Sequence, residues 1–63
     1  MLVVEDFLKQ FKPRVVSTIS YSNGKYIKVE YGLNEIYELL EKASHRVYAY
    51  QWFEESQLLV LSI

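Results

Sequence analysis

The 63-residue chain contains no cysteine, one proline, two glycines and one histidine. Without cysteine it forms neither disulfides nor thiolate metal sites, and His45 has no second histidine with which to share a metal ion. A chain this short buries only about 60% of its unfolded surface, so small domains commonly rely on disulfides, a metal or oligomerisation. Of these supports, oligomerisation is the one that the composition favours.

Long apolar runs and clusters of basic residues are also missing. No apolar stretch approaches the roughly 18 residues of a membrane-spanning helix. The N-terminus reaches Glu5 and Asp6 directly after its apolar start, so it does not resemble a signal peptide. These features predict a cytoplasmic protein without a membrane partner. The net charge of −1 argues against strong non-specific binding to a phosphate backbone.

Two segments carry the apolar spacing of amphipathic helices. The residues concerned are Val4, Phe7, Leu8 and Phe11 in the first segment, and Ile36, Leu39, Leu40 and Ala43 in the second. Pro13 ends the first helix near Phe11, because proline cannot continue it. Asn34 is the predicted N-cap of the second helix, which is expected to end at Ser44 or His45.

Two hairpins are predicted, one after each helix. The first surrounds Asn23-Gly24, a strong hairpin signal because both residues tolerate positive φ. The second joins strand-like residues 46–53 and 58–63 through a polar connection at 54–57. The predicted fold class is therefore α+β: a four-stranded antiparallel sheet with two helices on one face, in the order αββαββ.

The two halves of the chain share this layout within a single domain, residues 1–63. An offset of 32 residues, the separation of Arg14 from Arg46, aligns the helices and the hairpins without a gap. The units would be residues 1–31 and 33–63, a possible tandem αββ repeat. Identities are few, and any two helix–hairpin units would align tolerably, so the alignment fits both a repeat and a coincidence.

Hairpin pairing assigns the side chains to two faces, because cross-strand neighbours point the same way. The face rich in large apolar residues, including Trp52 and Leu59, is expected to lie under both helices. The other face should be mainly polar if it is solvated, yet the second hairpin places an apolar patch there. Its members are Val47, Ala49, Phe53, Leu58 and Val60.

An exposed apolar patch on a monomer commonly marks a contact site, so this patch is expected to mediate self-association. Two alternatives fit the same pattern. The second hairpin would be covered on both sides within the monomer, or the uncharged segment Leu58–Ile63 would form an open edge strand that invites pairing. The expected partner in the associating cases is a second copy of the chain.

No arrangement of catalytic residues is recognisable. His45 has no acid or nucleophile fixed beside it, the serines lie in no nucleophile elbow, and the glycines form no phosphate loop. The sequence therefore predicts a homo-oligomeric protein-interaction or regulatory module that is not an enzyme and uses no cofactor or metal. An enzyme would require a pocket formed only between subunits.

A second hypothesis is binding of single-stranded nucleic acid. Tyr21 and Tyr26 form a cross-strand aromatic pair close to Lys25 and Lys28, and bases stack on such aromatic residues when cations lie beside them. The alternative is that the tyrosine pair only stabilises the hairpin.

Overall fold

The computed structural model describes residues 2–42 and 45–63. Two helices and four strands follow one another in the order α1 (Val4–Gln10), β1 (Val15–Ser22), β2 (Lys25–Gly32), α2 (Leu33–Lys42), β3 (Ala49–Phe53) and β4 (Leu58–Ser62). The chain is an α+β protein with one four-stranded sheet. The helix end predicted at Ser44 or His45 falls partly outside the described residues.

The sheet is mixed, so the prediction of a purely antiparallel sheet is wrong. Its strand order is β2-β1-β4-β3, and β1 runs parallel to β4, with Val15 beside Leu58 and Ile19 beside Ser62. A parallel pair needs a long crossover, which β2, α2 and β3 supply here. The prediction that Leu58–Ile63 forms an open edge is also wrong, because β4 lies between β1 and β3 and the edges are β2 and β3.

Both hairpins have the predicted register. Tyr21 pairs with Tyr26 in the first, and Trp52 pairs with Leu59 in the second. Asn23 and Gly24 take φ values of 52° and 77°, as a two-residue hairpin turn requires. The second turn, residues 54–57, has the positive φ at Gln57 (52°).

Both helices pack on one face of the sheet, as predicted. The buried apolar core joins the two helices to the two interior strands, and its members are Val4, Phe7, Leu8, Val16, Ile36, Leu59 and Leu61. Each fully buried side chain of this kind contributes about 1.5–3 kcal/mol. α2 contacts β1 and β2. Phe7 of α1 lies against Tyr50 of β3 at 4.9 Å, and Phe11, directly after α1, stacks on Trp52 at 5.1 Å.

The two helices start differently. Val3 precedes α1 and donates its N–H to Asp6 Oδ2 at 3.0 Å, which satisfies one backbone group at the helix terminus. α2 follows β2 without a linker, so Asn34 lies inside its first turn and is not the N-cap that was predicted. Because α2 leaves β2 directly, it folds back over the hairpin that precedes it.

A short N-terminal segment, residues 2–3, pairs with the chain just before the second hairpin. Val3 forms an isolated antiparallel bridge with Arg46, supported by hydrogen bonds from Val47 N–H to Leu2 O (2.9 Å) and from Val4 N–H to His45 O (3.0 Å). No helix of the described ranges is long and apolar enough to cross a membrane.

The tandem repeat stays a prediction. Its two units would place β1 and β3 at equivalent positions, but β1 is an interior strand and β3 is an edge strand.

Candidate interaction surface

The sheet has a second face, opposite the helices, that we call the outer face. Strand alternation and the registers assign its residues. They are Val15, Ser17, Ile19 and Tyr21 of β1; Tyr26, Lys28 and Glu30 of β2; Ala49, Gln51 and Phe53 of β3; and Leu58, Val60 and Ser62 of β4. Within the described part of the chain both helices pack on the other face, so this one is uncovered.

Six of the thirteen residues of the outer face are apolar. Its apolar patch consists of Val15, Ile19, Ala49, Phe53, Leu58 and Val60. Phe53 is 45% exposed, and the side chains of the two interior strands are half-buried by one another. The solvated face of an antiparallel sheet is normally polar, so this composition makes the outer face a candidate interaction surface.

The structure places four of the five predicted patch residues together, and Val47 apart from them. Val47 lies before β3, pairs with the N-terminal segment and packs against the core, because the chain bends at Tyr48 and leaves the plane of the strand. Val15 and Ile19 join the patch instead. Sequence analysis missed them because only the parallel pairing of β1 with β4 brings the first hairpin beside the apolar second hairpin.

Ser17 lies at the centre of the outer face and is fully buried, although no helix covers it. Its register neighbours are Glu30 and Val60, and the side chains around it close over the small hydroxymethyl group. Its Oγ has no hydrogen-bond partner. A buried hydroxyl without a partner destabilises the fold, and here it shows how tightly the larger side chains of this surface pack together.

Two opposite charges lie on the β2 side of the outer face. Lys28 and Glu30 are separated by one residue on the same strand, so both project from the same face. Neither belongs to an ion pair in the described ranges, where Lys9 and Glu5 form the one salt bridge, at 3.8 Å. Both charges are therefore available to a molecule that covers this face.

The aromatic pair of the second hypothesis lies at the end of the first hairpin. The rings of Tyr21 and Tyr26 meet edge to face with centroids 4.9 Å apart, and the two residues are 63% and 78% exposed. Lys28 shares their face, but Lys25 pairs with Ser22 and projects from the opposite one. The register thus brings together three of the four residues predicted for nucleic-acid binding.

A depression between the helices is the one cavity that suggests small-molecule binding in the described part of the chain. It has a volume of about 210 Å³ and is lined by Glu5, Tyr37, Leu40 and Glu41. It is shallow and open to solvent, and its two glutamates are exposed. Among the described residues, no group of three or more His, Asp or Glu side chains could hold a metal ion.

Comparison of the chain with protein-family models, with curated proteins and with solved structures found no match.

Proposed function

We propose that the protein is a self-associating interaction module whose outer face packs against the outer face of a second copy. The observation that carries the proposal is an apolar patch, on the uncovered face of the sheet, that extends over three strands. Burying it removes apolar surface from water, the dominant favourable term in protein association. A chain of this size also has the most to gain from added burial.

A second copy suits this face because the charges on it are self-complementary. Two sheets packed face to face form a symmetric dimer when a two-fold axis lies between them. If that axis runs across the strands between the Ser17 and Ile19 rows, each Glu30 faces Lys28 of the other copy. Both charges of both copies are then paired, and Val15 of one copy lies over Tyr21 of the other.

The size of the face indicates a reversible contact. Four strands about 4.8 Å apart and seven rows about 3.3 Å apart cover roughly 19 by 23 Å. That is well below the ~800 Å² per partner of a standard stable interface. We therefore expect an assembly that dissociates on dilution, as in a regulatory module whose state follows its concentration.

The decisive experiment is the solution mass of the wild type and of Val60→Lys, measured by light scattering over a range of protein concentrations. Val60 lies in the middle of the patch on the interior strand β4. A lysine there places an unpaired charge in the contact, where burial of a charge is costly. The assembled mass is expected to fall by half relative to the wild type at the same concentration.

Val29→Lys is the matched control, since it makes the same substitution on a strand residue of the opposite face that is 39% exposed. This control should keep the wild-type mass. A wild type that has the mass of one chain at every concentration would contradict self-association altogether. A Val60→Lys variant with unchanged mass would show that the outer face is not the contact.

Nucleic-acid binding through Tyr21, Tyr26 and Lys28 stays a prediction that the geometry supports less well. Lys25 projects from the other face, and Glu30 places a negative charge on the same surface as Lys28. Tracking of a phosphate backbone depends on several convergent cations, and the outer face offers one.

A further inference from the structure

The two edges of the sheet differ in how open they are to another strand. β2 carries Lys25, Lys28 and Glu30, and charges on an edge strand oppose pairing with a second sheet. β3 has the sequence Ala-Tyr-Gln-Trp-Phe, without charge or proline, and four of its five residues are exposed. The edge formed by β3 is therefore the one without protection.

The free part of this edge has a definite beginning. The backbone just before β3 is already used, because Val47 N–H donates to Leu2 O at 2.9 Å and Tyr48 N–H donates to Ser62 O at 2.8 Å. Two successive residues beside one partner, here Tyr48 and Ala49 beside Ser62, form a β-bulge, a feature that is common at sheet edges. The edge thus opens at Ala49 and runs to Phe53.

The hydrogen-bonding pattern shows which backbone groups of β3 point outward. Ile63 N–H donates to Ile19 O at 2.9 Å, so odd-numbered residues of β4 bond to β1 and even-numbered residues bond to β3. The β3 residues that pair with these even-numbered residues of β4 are Ala49, Gln51 and Phe53. Tyr50 and Trp52 consequently direct their N–H and C=O groups away from the sheet, where a second strand can bind them.

We propose that β3 pairs antiparallel with β3 of a second copy about a two-fold axis at Gln51. In this register Tyr50 lies opposite Trp52 of the other copy, and the reciprocal pair repeats the arrangement. Every outward backbone group of both strands then takes part in a hydrogen bond. Gln51 lies opposite itself, and Ala49 lies opposite Phe53 on the outer-face side. This contact is separate from the face-to-face packing proposed above.

The charges at the ends of β3 favour a second copy in this orientation. Arg46 lies before the strand, with its guanidinium 4.9 Å from the ring centroid of Tyr48, and Glu54 and Glu55 follow the strand in the exposed turn. Antiparallel pairing brings the basic end of each copy toward the acidic end of the other. Parallel pairing would place like charges together, which is unfavourable.

Edge pairing joins two sheets into one continuous sheet of eight strands and leaves both outer faces on the same side. The two apolar patches then lie side by side across the two-fold axis. If both contacts form, the wild type assembles beyond a dimer at high concentration, and loss of either contact leaves a dimer.

A single cysteine tests the pairing directly, because the chain has no other. Residues opposite each other in a non-hydrogen-bonded antiparallel pair have Cα atoms about 4.5 Å apart, within the roughly 4.4–6.8 Å that a disulfide spans. Mild oxidation should therefore convert Gln51→Cys into a covalent dimer. Face-to-face sheets lie about 10 Å apart, too far for this disulfide, so face packing alone does not produce it.

Gln10→Cys is the matched control, since Gln10 is an exposed glutamine on α1. The pairing is wrong if Gln51→Cys forms disulfide dimers no faster than this control. An independent readout is hydrogen exchange of the wild type. Exchange of the Tyr50 and Trp52 amides should slow as protein concentration rises, and exchange that is independent of concentration would contradict the proposal.

Charge substitution at Gln51, which also lies on the outer face, tests this contact, and rescue by the opposite charge separates it from the face-to-face contact. Gln51→Glu brings two carboxylates together at the axis and should weaken the edge dimer at least about tenfold, whereas a mixture of Gln51→Glu with Gln51→Lys should restore it. If Val60→Lys halves the assembled mass and Gln51→Glu does not, the face contact stands and edge pairing is wrong. If Gln51→Glu halves the mass and Val60→Lys does not, the edge contact stands and the proposed function fails.

Discussion

Ser17 combines a small polar side chain with the most enclosed position on the outer face. Its Oγ is shielded from water by neighbouring side chains and has no hydrogen-bond partner. A hydroxyl in that position has lost its hydration without a replacement, which costs about 1–3 kcal/mol. A side chain without a hydroxyl at this position would therefore make the fold more stable than Ser17 does.

Ser17→Ala is expected to raise the free energy of unfolding by about 1 kcal/mol, because it removes the unpaired hydroxyl and leaves the backbone unchanged. Urea unfolding followed by the fluorescence of Trp52, the one tryptophan, measures the difference. Ser20→Ala, at a half-buried position on the helix-covered face, provides the comparison. A loss of stability in Ser17→Ala would mean that the hydroxyl has a hydrogen-bond partner after all.

Among the elements, the first hairpin depends on two residues with positive φ. Gly24 has φ of +77°, and a Cβ built there would meet nothing within 4 Å, whereas Gly32 lacks a positive φ and its Cβ would contact Glu35 Oε1 at 3.7 Å. Space is therefore available at both glycines. Only Gly24 needs the conformation that residues with a side chain disfavour.

Gly24→Ala should lower the free energy of unfolding by about 1–2 kcal/mol, the cost of placing an L-residue in the left-handed region. Gly32→Ala should change it by less than about 0.5 kcal/mol, since it restricts the unfolded chain without straining the native one. Urea unfolding of the two variants side by side gives the comparison. Equal effects would mean that the turn does not require glycine.

Elements stabilised by local interactions were predictable from the sequence. The first helix, the Asn23-Gly24 turn and the registers of both hairpins follow from short-range spacing and turn chemistry. The pairing of β1 with β4 does not, because its residues are distant in sequence and alternation is the same for parallel and antiparallel neighbours. Because of this pairing, β4 is an interior strand, whereas the sequence had suggested that it could form an open edge.

The same limit explains what was predicted about the outer face. Ala49, Phe53, Leu58 and Val60 could be assigned to it from the second hairpin alone. Val15 and Ile19 were not in the predicted patch, since the strand order was unknown. Val47 was misplaced because nothing in its residue type signals the bend at Tyr48, where the strand stops. The role of the patch in association stays a prediction.

At the scale of the whole molecule, a single small core has to stabilise the fold. In the described part of the chain the buried apolar core has seven residues, while folding stability is a small difference between large opposing terms. The apolar surface that an assembly buries would therefore add a substantial fraction of the free energy of unfolding. Stability and association should be coupled, since a contact that forms only between folded chains shifts the folding equilibrium by mass action.

The melting temperature of the wild type should consequently rise with protein concentration. For a dimer, each tenfold increase adds about 1.4 kcal/mol of stability per mole of dimer, or roughly 0.7 per chain. In a domain of this size 1 kcal/mol corresponds to about 4–8 °C, so calorimetric scans should move by about 3–6 °C per decade. Val60→Lys and Gln51→Glu, each with one proposed contact removed, should each show a smaller shift than the wild type. A wild type whose melting temperature is the same over a hundredfold range would show that the fold is stable without a partner.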